Sequence, residues 1–67
     1  MNVFFNNIPT ELPATCKTLE DLAFLKQIPR QGSAIAVNDT LIKHDKWGSI
    51  LLKENDQVVV ITAAFGG

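Results

Sequence analysis

Gly66-Gly67 closes this 67-residue chain, behind Ala64-Phe65. A glycine pair inside a chain marks a turn, but here nothing follows it to turn toward. Without Cβ atoms, two glycines can enter a channel too narrow for any other residue and adopt any backbone conformation. They also leave the terminal carbonyl carbon unhindered. Fully extended, Ala64 to Gly67 reaches roughly 13–14 Å, far enough to enter another protein's active site while a folded body stays outside. An α-carboxyl group with a pKa of about 3.3–3.7 is ionised at neutral pH. The Gly67 carboxylate is therefore a nucleophile for a nucleotide α-phosphate. A frayed end or an artificial addition explains the same residues without chemistry. The chemical reading predicts a folded domain over 1–63 and a flexible reactive tail over 64–67.

Other chemistry-bearing residues form no recognisable constellation. His44 is the single imidazole and Cys16 the single thiol, on different elements. A Cys/His nucleophile also needs an orienting group and a cleft. His44 reads as a loop residue and Cys16 as a small, partly buried side chain on an edge strand. No CxxC or HxxxH pair offers metal ligands, so no metal is expected. Gly32 and Gly48 stand too far from each other and from the terminal pair to cradle a phosphate. Glu20, Asp21, Glu54 and Asp56 fall at a helix start and in a turn, where structural roles suffice. Lys43, His44 and Lys46 form a local basic cluster that reads as a solvated loop; its functional alternative is a rim contact for an acidic partner.

Composition narrows the class further. An apolar share of 46% with 19% charged residues is that of a packed globule. Six basic residues against seven acidic ones leave a net charge of −1, which gives no electrostatic case for nucleic acid or an anionic membrane. One cysteine excludes an internal disulfide framework and points to a reducing compartment. No segment approaches the ~20 apolar residues that cross a bilayer. Met1 to Asn6 lacks the basic flank and longer apolar stretch of a secretory signal. The expectation is a cytoplasmic protein, monomeric when free.

The elements that must hold such a tail follow from local pattern. Val3-Phe4-Phe5 opens as a strand and stops at Asn6-Asn7, a pair that tolerates turn geometry. A second strand is expected over Thr10 to Cys16, at a sheet edge because Pro13 cannot donate a hydrogen bond. Thr18 is a helix N-cap whose hydroxyl can accept from the amide of Asp21, with Glu20 and Asp21 suited to the positive end of the dipole. Leu19, Leu22, Ala23 and the stem of Lys26 share one face, and Phe24 falls at the core margin. The helix should end near Gln27, because Pro29 disfavours helical geometry at Ile28. Ala34 to Val37 and Leu41-Ile42 read as strands joined by an Asn38-Asp39 turn. Trp47 caps the core over a helical turn, and Ile50-Leu51-Leu52 re-enters the interior. Gln57 to Ala63 is the strongest strand. Two strands, one helix, a hairpin and a last strand give an α+β fold, a mixed five-strand sheet curled around one helix. The β-grasp arrangement fits this order, with the first and last strands parallel neighbours.

The last strand is apolar on both faces: Val58, Val60, Thr62 and Ala64 on one, Val59, Ile61, Ala63 and Phe65 on the other. One helix in so small a protein cannot cover both. The uncovered face is expected to be a partner-docking patch, assigned here to Phe4, Val58, Val60 and Thr62, the alternative being a central strand buried on both sides by loops.

With a lone helix opened by Thr18-Leu19, with Ala36-Val37-Asn38, Trp47, Asn55-Asp56 and a terminal Ala63-Ala64-Phe65-Gly66-Gly67, the chain resembles the thiamine-biosynthesis sulfur carriers of the ThiS type over essentially its whole length. It departs at Asn55, where many relatives carry glycine; asparagine also tolerates left-handed geometry. The resemblance implies a ubiquitin-like β-grasp protein that is no enzyme and binds no cofactor. It implies that a ubiquitin-activating-like adenylyltransferase, using ATP and Mg²⁺, joins AMP to the Gly67 carboxylate. A persulfide derived from cysteine through a cysteine desulfurase would displace AMP, and reductive release would leave a thiocarboxylate for thiazole synthase. Gly66, Phe65 and Ala64 would thread the partners' channels.

Three other readings stand beside it. The small subunit of molybdopterin synthase shares the fold, the glycine pair and the thiocarboxylate, but its members are usually longer. A ubiquitin-like modifier would link Gly67 to lysines. A cold-shock-type nucleic-acid binder needs basic and aromatic residues interleaved on a strand face, which this chain lacks.

Overall fold

The computed structural model describes residues 1–62. Residues 63–67, with the expected tail Ala64, Phe65, Gly66 and Gly67, lie outside the described residues. Strand β1 (Asn2–Phe5) runs into β2 (Ile8–Glu11). The helix α1 (Leu19–Leu25) precedes β3 (Ser33–Val37) and β4 (Thr40–Ile42). A 3-10 helix, His44–Ser49, and β5 (Gln57–Thr62) complete the order. The five strands form one sheet in the order β2-β1-β5-β3-β4. β1 and β5 are parallel neighbours, and the other pairings are antiparallel.

Asparagines make both hairpins tight. Asn6 and Asn7 have φ of 50° and 67°, and Asn38 and Asp39 have φ of 50° and 69°. A two-residue type I′ turn needs such left-handed pairs, which Asn and Asp tolerate. This corrects the reading of β2. The turn closes at once, so the strand starts at Ile8 and is over by Glu11 instead of covering Thr10 to Cys16. Pro9, and not Pro13, is the proline on the edge strand, opposite Phe4. Cys16 lies in the loop that follows and is buried.

Helix α1 opens with a reciprocal cap. The Asp21 amide donates to Thr18 Oγ1 at 3.1 Å, and the Thr18 amide donates to Asp21 Oδ2 at 3.0 Å. Two orphaned donors of the first turn are thereby satisfied. At the other end Gln27 takes φ 56°, and the Ile28 amide reaches back to the Ala23 carbonyl at 2.8 Å, closing the helix before Pro29 as expected. Leu19, Leu22 and Ala23 face inward. Phe24 does not sit at the core margin: it is 87% exposed, on the solvent side of a seven-residue helix.

The core lies between α1 and the inner face of the sheet. Its fully buried large side chains are Trp47, Leu19, Leu22, Ile35, Val3 and Val58. Trp47 closes one end of this core, its indole N–H donating to the Ile42 carbonyl at 3.2 Å. Arg30 ties the neighbouring pieces together, pairing with Glu20, donating to the His44 carbonyl at 2.9 Å and lying 5.6 Å from the Trp47 ring centre. In the segment after the 3-10 helix only Leu52 is fully interior; Leu51, expected inside, points out.

Candidate functional site

β5 is the element that delivers the chain to its C-terminal residues, and it is held on both sides at its base. Asp56, buried just before it, accepts from Asn38 Nδ2 at 2.9 Å and from the Lys53 amide at 2.8 Å. The Gln57 amide in turn donates to Asn38 Oδ1 at 2.9 Å. Asn55 takes φ 69°, a left-handed conformation that asparagine tolerates. On one flank β5 pairs with β3 along its length, from Val37↔Val58 to Ser33↔Thr62. On the other flank β1 pairs only at Phe4↔Gln57 and Phe5↔Val58. Asn6 continues that side, its amide donating to the Val58 carbonyl at 2.8 Å and its Oδ1 accepting from the Val60 amide at 2.8 Å.

The two faces of β5 alternate as the sequence requires, but the outward one is the odd-numbered set. Val58 is fully buried and Val60 is partly buried against the core, so neither belongs to an open docking patch. Val59 is 40% and Ile61 66% exposed. The pairing Phe4↔Gln57 puts Phe4 on this odd-numbered side, away from Val58. The signal was present in the sequence: the odd set begins with the polar Gln57, which belongs in water. Ala36 is paired with Val59 and Leu41 with Ala36, so Leu41, also exposed, extends the same outer face across β3 to β4. The outer sheet face thus presents Phe4, Val59, Ile61 and Leu41, where sequence reasoning placed Phe4, Val58, Val60 and Thr62. Of those four, Thr62 is exposed, Phe4 and Val60 are half-buried, and Val58 is fully buried.

The remaining candidates have structural roles. Burial and then the nearby Asp21 charge push the Cys16 thiol above its usual pKa, which keeps it in the unreactive protonated form. His44 Nε2 lies 2.7 Å from the Ser33 carbonyl and the ring packs edge-on against Trp47, with centroids 5.0 Å apart. Lys43, His44 and Lys46 are exposed around the 3-10 helix, with Asp45 among them. Among the described residues no group of three or more His, Cys, Asp or Glu could hold a metal ion. No helix among them is long and apolar enough to cross a membrane.

Comparison with known proteins adds the family. The model of the ThiS family matches residues 3–67, which includes the terminal glycine pair. Among solved structures, the chain is similar to the thiamine biosynthesis protein (ThiS) from Geobacter metallireducens. The TM-score is 0.83 at 16% sequence identity, with all of both chains covered. At that identity the likeness bears on the fold, and it is the β-grasp fold expected from the element order. No curated protein matches the chain.

Proposed function

The chain belongs to the ThiS family, and from that premise we propose that it is a sulfur carrier of thiamine biosynthesis whose working group is the carboxylate of Gly67. The observation that carries this reading is the family match running through residue 67, so that it takes in the glycine pair. The family supports the carrier role, and the structural neighbour supports the fold that would serve it. The chemistry at Gly67 rests on the properties of the residues themselves.

A carboxylate is a poor acyl donor because oxide is a poor leaving group. In the proposed cycle a ubiquitin-activating-like adenylyltransferase binds ATP and Mg²⁺. One Gly67 oxygen attacks the α-phosphate and pyrophosphate departs with the P–O electron pair. The resulting acyl adenylate has a good leaving group. A persulfide, its sulfur drawn from cysteine by a desulfurase, attacks the carbonyl carbon and AMP leaves. A thiol then reduces the acyl disulfide, breaking its S–S bond and leaving the C-terminal thiocarboxylate. Thiazole synthase accepts the tail and takes the sulfur, and hydrolytic return to the carboxylate completes the cycle. The catalytic groups belong to the partners, and this chain is a recycled co-substrate.

The fold's part is presentation. β5 lies inside the sheet, paired to β1 at its base and to β3 as far as Thr62, so the chain beyond Thr62 starts from a strand anchored in the sheet. The outer face carrying Phe4, Val59, Ile61 and Leu41 offers the apolar area by which a partner would grip the body. Truncation tests the assignment of the tail. Deleting Gly67, or making Gly66→Val, should abolish sulfur loading by the matching adenylyltransferase while the melting temperature stays nearly unchanged. Loading that survives either change overturns the role of Gly67, and ladders of lysine conjugates in cells would instead favour a protein modifier.

A further inference from the structure

We infer that Asn6 is a positioning residue for the tail: its side-chain oxygen secures the Val60 amide and so fixes the direction in which β5 leaves the sheet. This rests on the carrier reading above and names a residue that reading does not require. Parallel pairing of β1 to β5 ends at Phe5↔Val58, four residues short of the end of β5 at Thr62. Past that point β1 has turned away into the hairpin. The Asn6 amide takes the Val58 carbonyl, and Asn6 Oδ1 takes the Val60 amide, both at 2.8 Å. A side chain here replaces the next residue of the missing strand. It is the last hydrogen bond on that flank among the described residues. β3 holds the opposite flank through Ser33↔Thr62. With both flanks tied, β5 departs as a strand fixed in the sheet. With one flank released, its last residues can swing about the β3 edge.

Two demands meet at Asn6, and they can be separated. The turn needs a residue that accepts φ 50°, and β5 needs an acceptor that reaches Val60. Glycine meets the first demand and not the second. Aspartate meets both, because it tolerates the left-handed region and carries a carboxylate oxygen at the same place. A residue serving only the turn would therefore be replaced equally well by either.

The experiment compares the full chain with Asn6→Gly, Asn6→Asp and Thr18→Ala, the last weakening the fold at a helix cap remote from β5. Hydrogen exchange at the Val60 amide and kcat/KM for sulfur loading by the adenylyltransferase are read well below each melting temperature. The expected result is that Asn6→Gly loses Val60 protection and loads several-fold more slowly. Asn6→Asp should keep both near the native values, and Thr18→Ala should load normally. Loading by Asn6→Gly at the native rate, or an equal fall in Thr18→Ala, overturns the positioning role while leaving the carrier reading intact. Failure of the native chain to load under the same conditions overturns the carrier reading and this inference with it.

Discussion

Thr18 and Asp21 each satisfy the other's backbone donor, and Asp21 additionally accepts from the Lys17 amide at 3.0 Å. Removing the cap with Thr18→Ala should cost about 1 kcal/mol, read by urea unfolding. The same geometry sets a pH dependence. The Lys17 and Thr18 amides, in that order, hold the Asp21 carboxyl below its ordinary pKa. A depressed carboxyl contributes stability above the unfolded-state value, near pH 4, and loses it as pH falls through the lower folded-state value. The native chain should therefore lose stability on acidification below about pH 4 more steeply than Asp21→Asn, whose amide carries no such titration. Parallel urea titrations at neutral and acid pH check this. Equal acid slopes in the two proteins would remove Asp21 as a source of that dependence.

At the scale of the element, β5 decides what is core and what is surface. Val58→Asp would place a charge among fully buried apolar side chains, and the chain should fail to fold. Ile61→Asp, on the outer face, should leave the melting temperature within a few degrees while raising KM for the activating partner. Circular dichroism melts with loading kinetics separate the two. The reverse pattern would restore the original assignment of the patch. This contrast also shows what the sequence made legible. The alternation of β5, the Thr18 cap and the Trp47 lid were readable because each follows from residue type and local spacing, and the parallel placement of β1 beside β5 came from the β-grasp arrangement that the element order fits. The outward face was missed because Val58 and Val59 are chemically alike, and the polar residues at the two ends of the strand, Gln57 and Thr62, fall on opposite faces. The start of β2 was missed because Asn6-Asn7 closes the turn within two residues. That in turn hid Asn6, whose bond to Val60 spans 54 positions and leaves no local trace.

At the scale of the whole molecule, the described body keeps its chemistry-bearing side chains in structural work: Cys16 is buried, His44 props Trp47 and Ser33, and Asp56 and Asn38 lock the base of β5. A body of this size has little surplus stability, and a sheet wrapped on one helix encloses a core instead of a reaction chamber. In the proposed function the reactive group is the Gly67 carboxylate, and the globule is the part that partners would hold. One measurement reaches that claim most directly. The chain is incubated with ATP, Mg²⁺, its adenylyltransferase, a cysteine desulfurase and cysteine, then weighed intact and fragmented. The account predicts a product in which one oxygen has been exchanged for sulfur, with the added mass confined to the fragment ending at Gly67. An unchanged mass with a demonstrably active adenylyltransferase, or sulfur found on Cys16 instead, would contradict it.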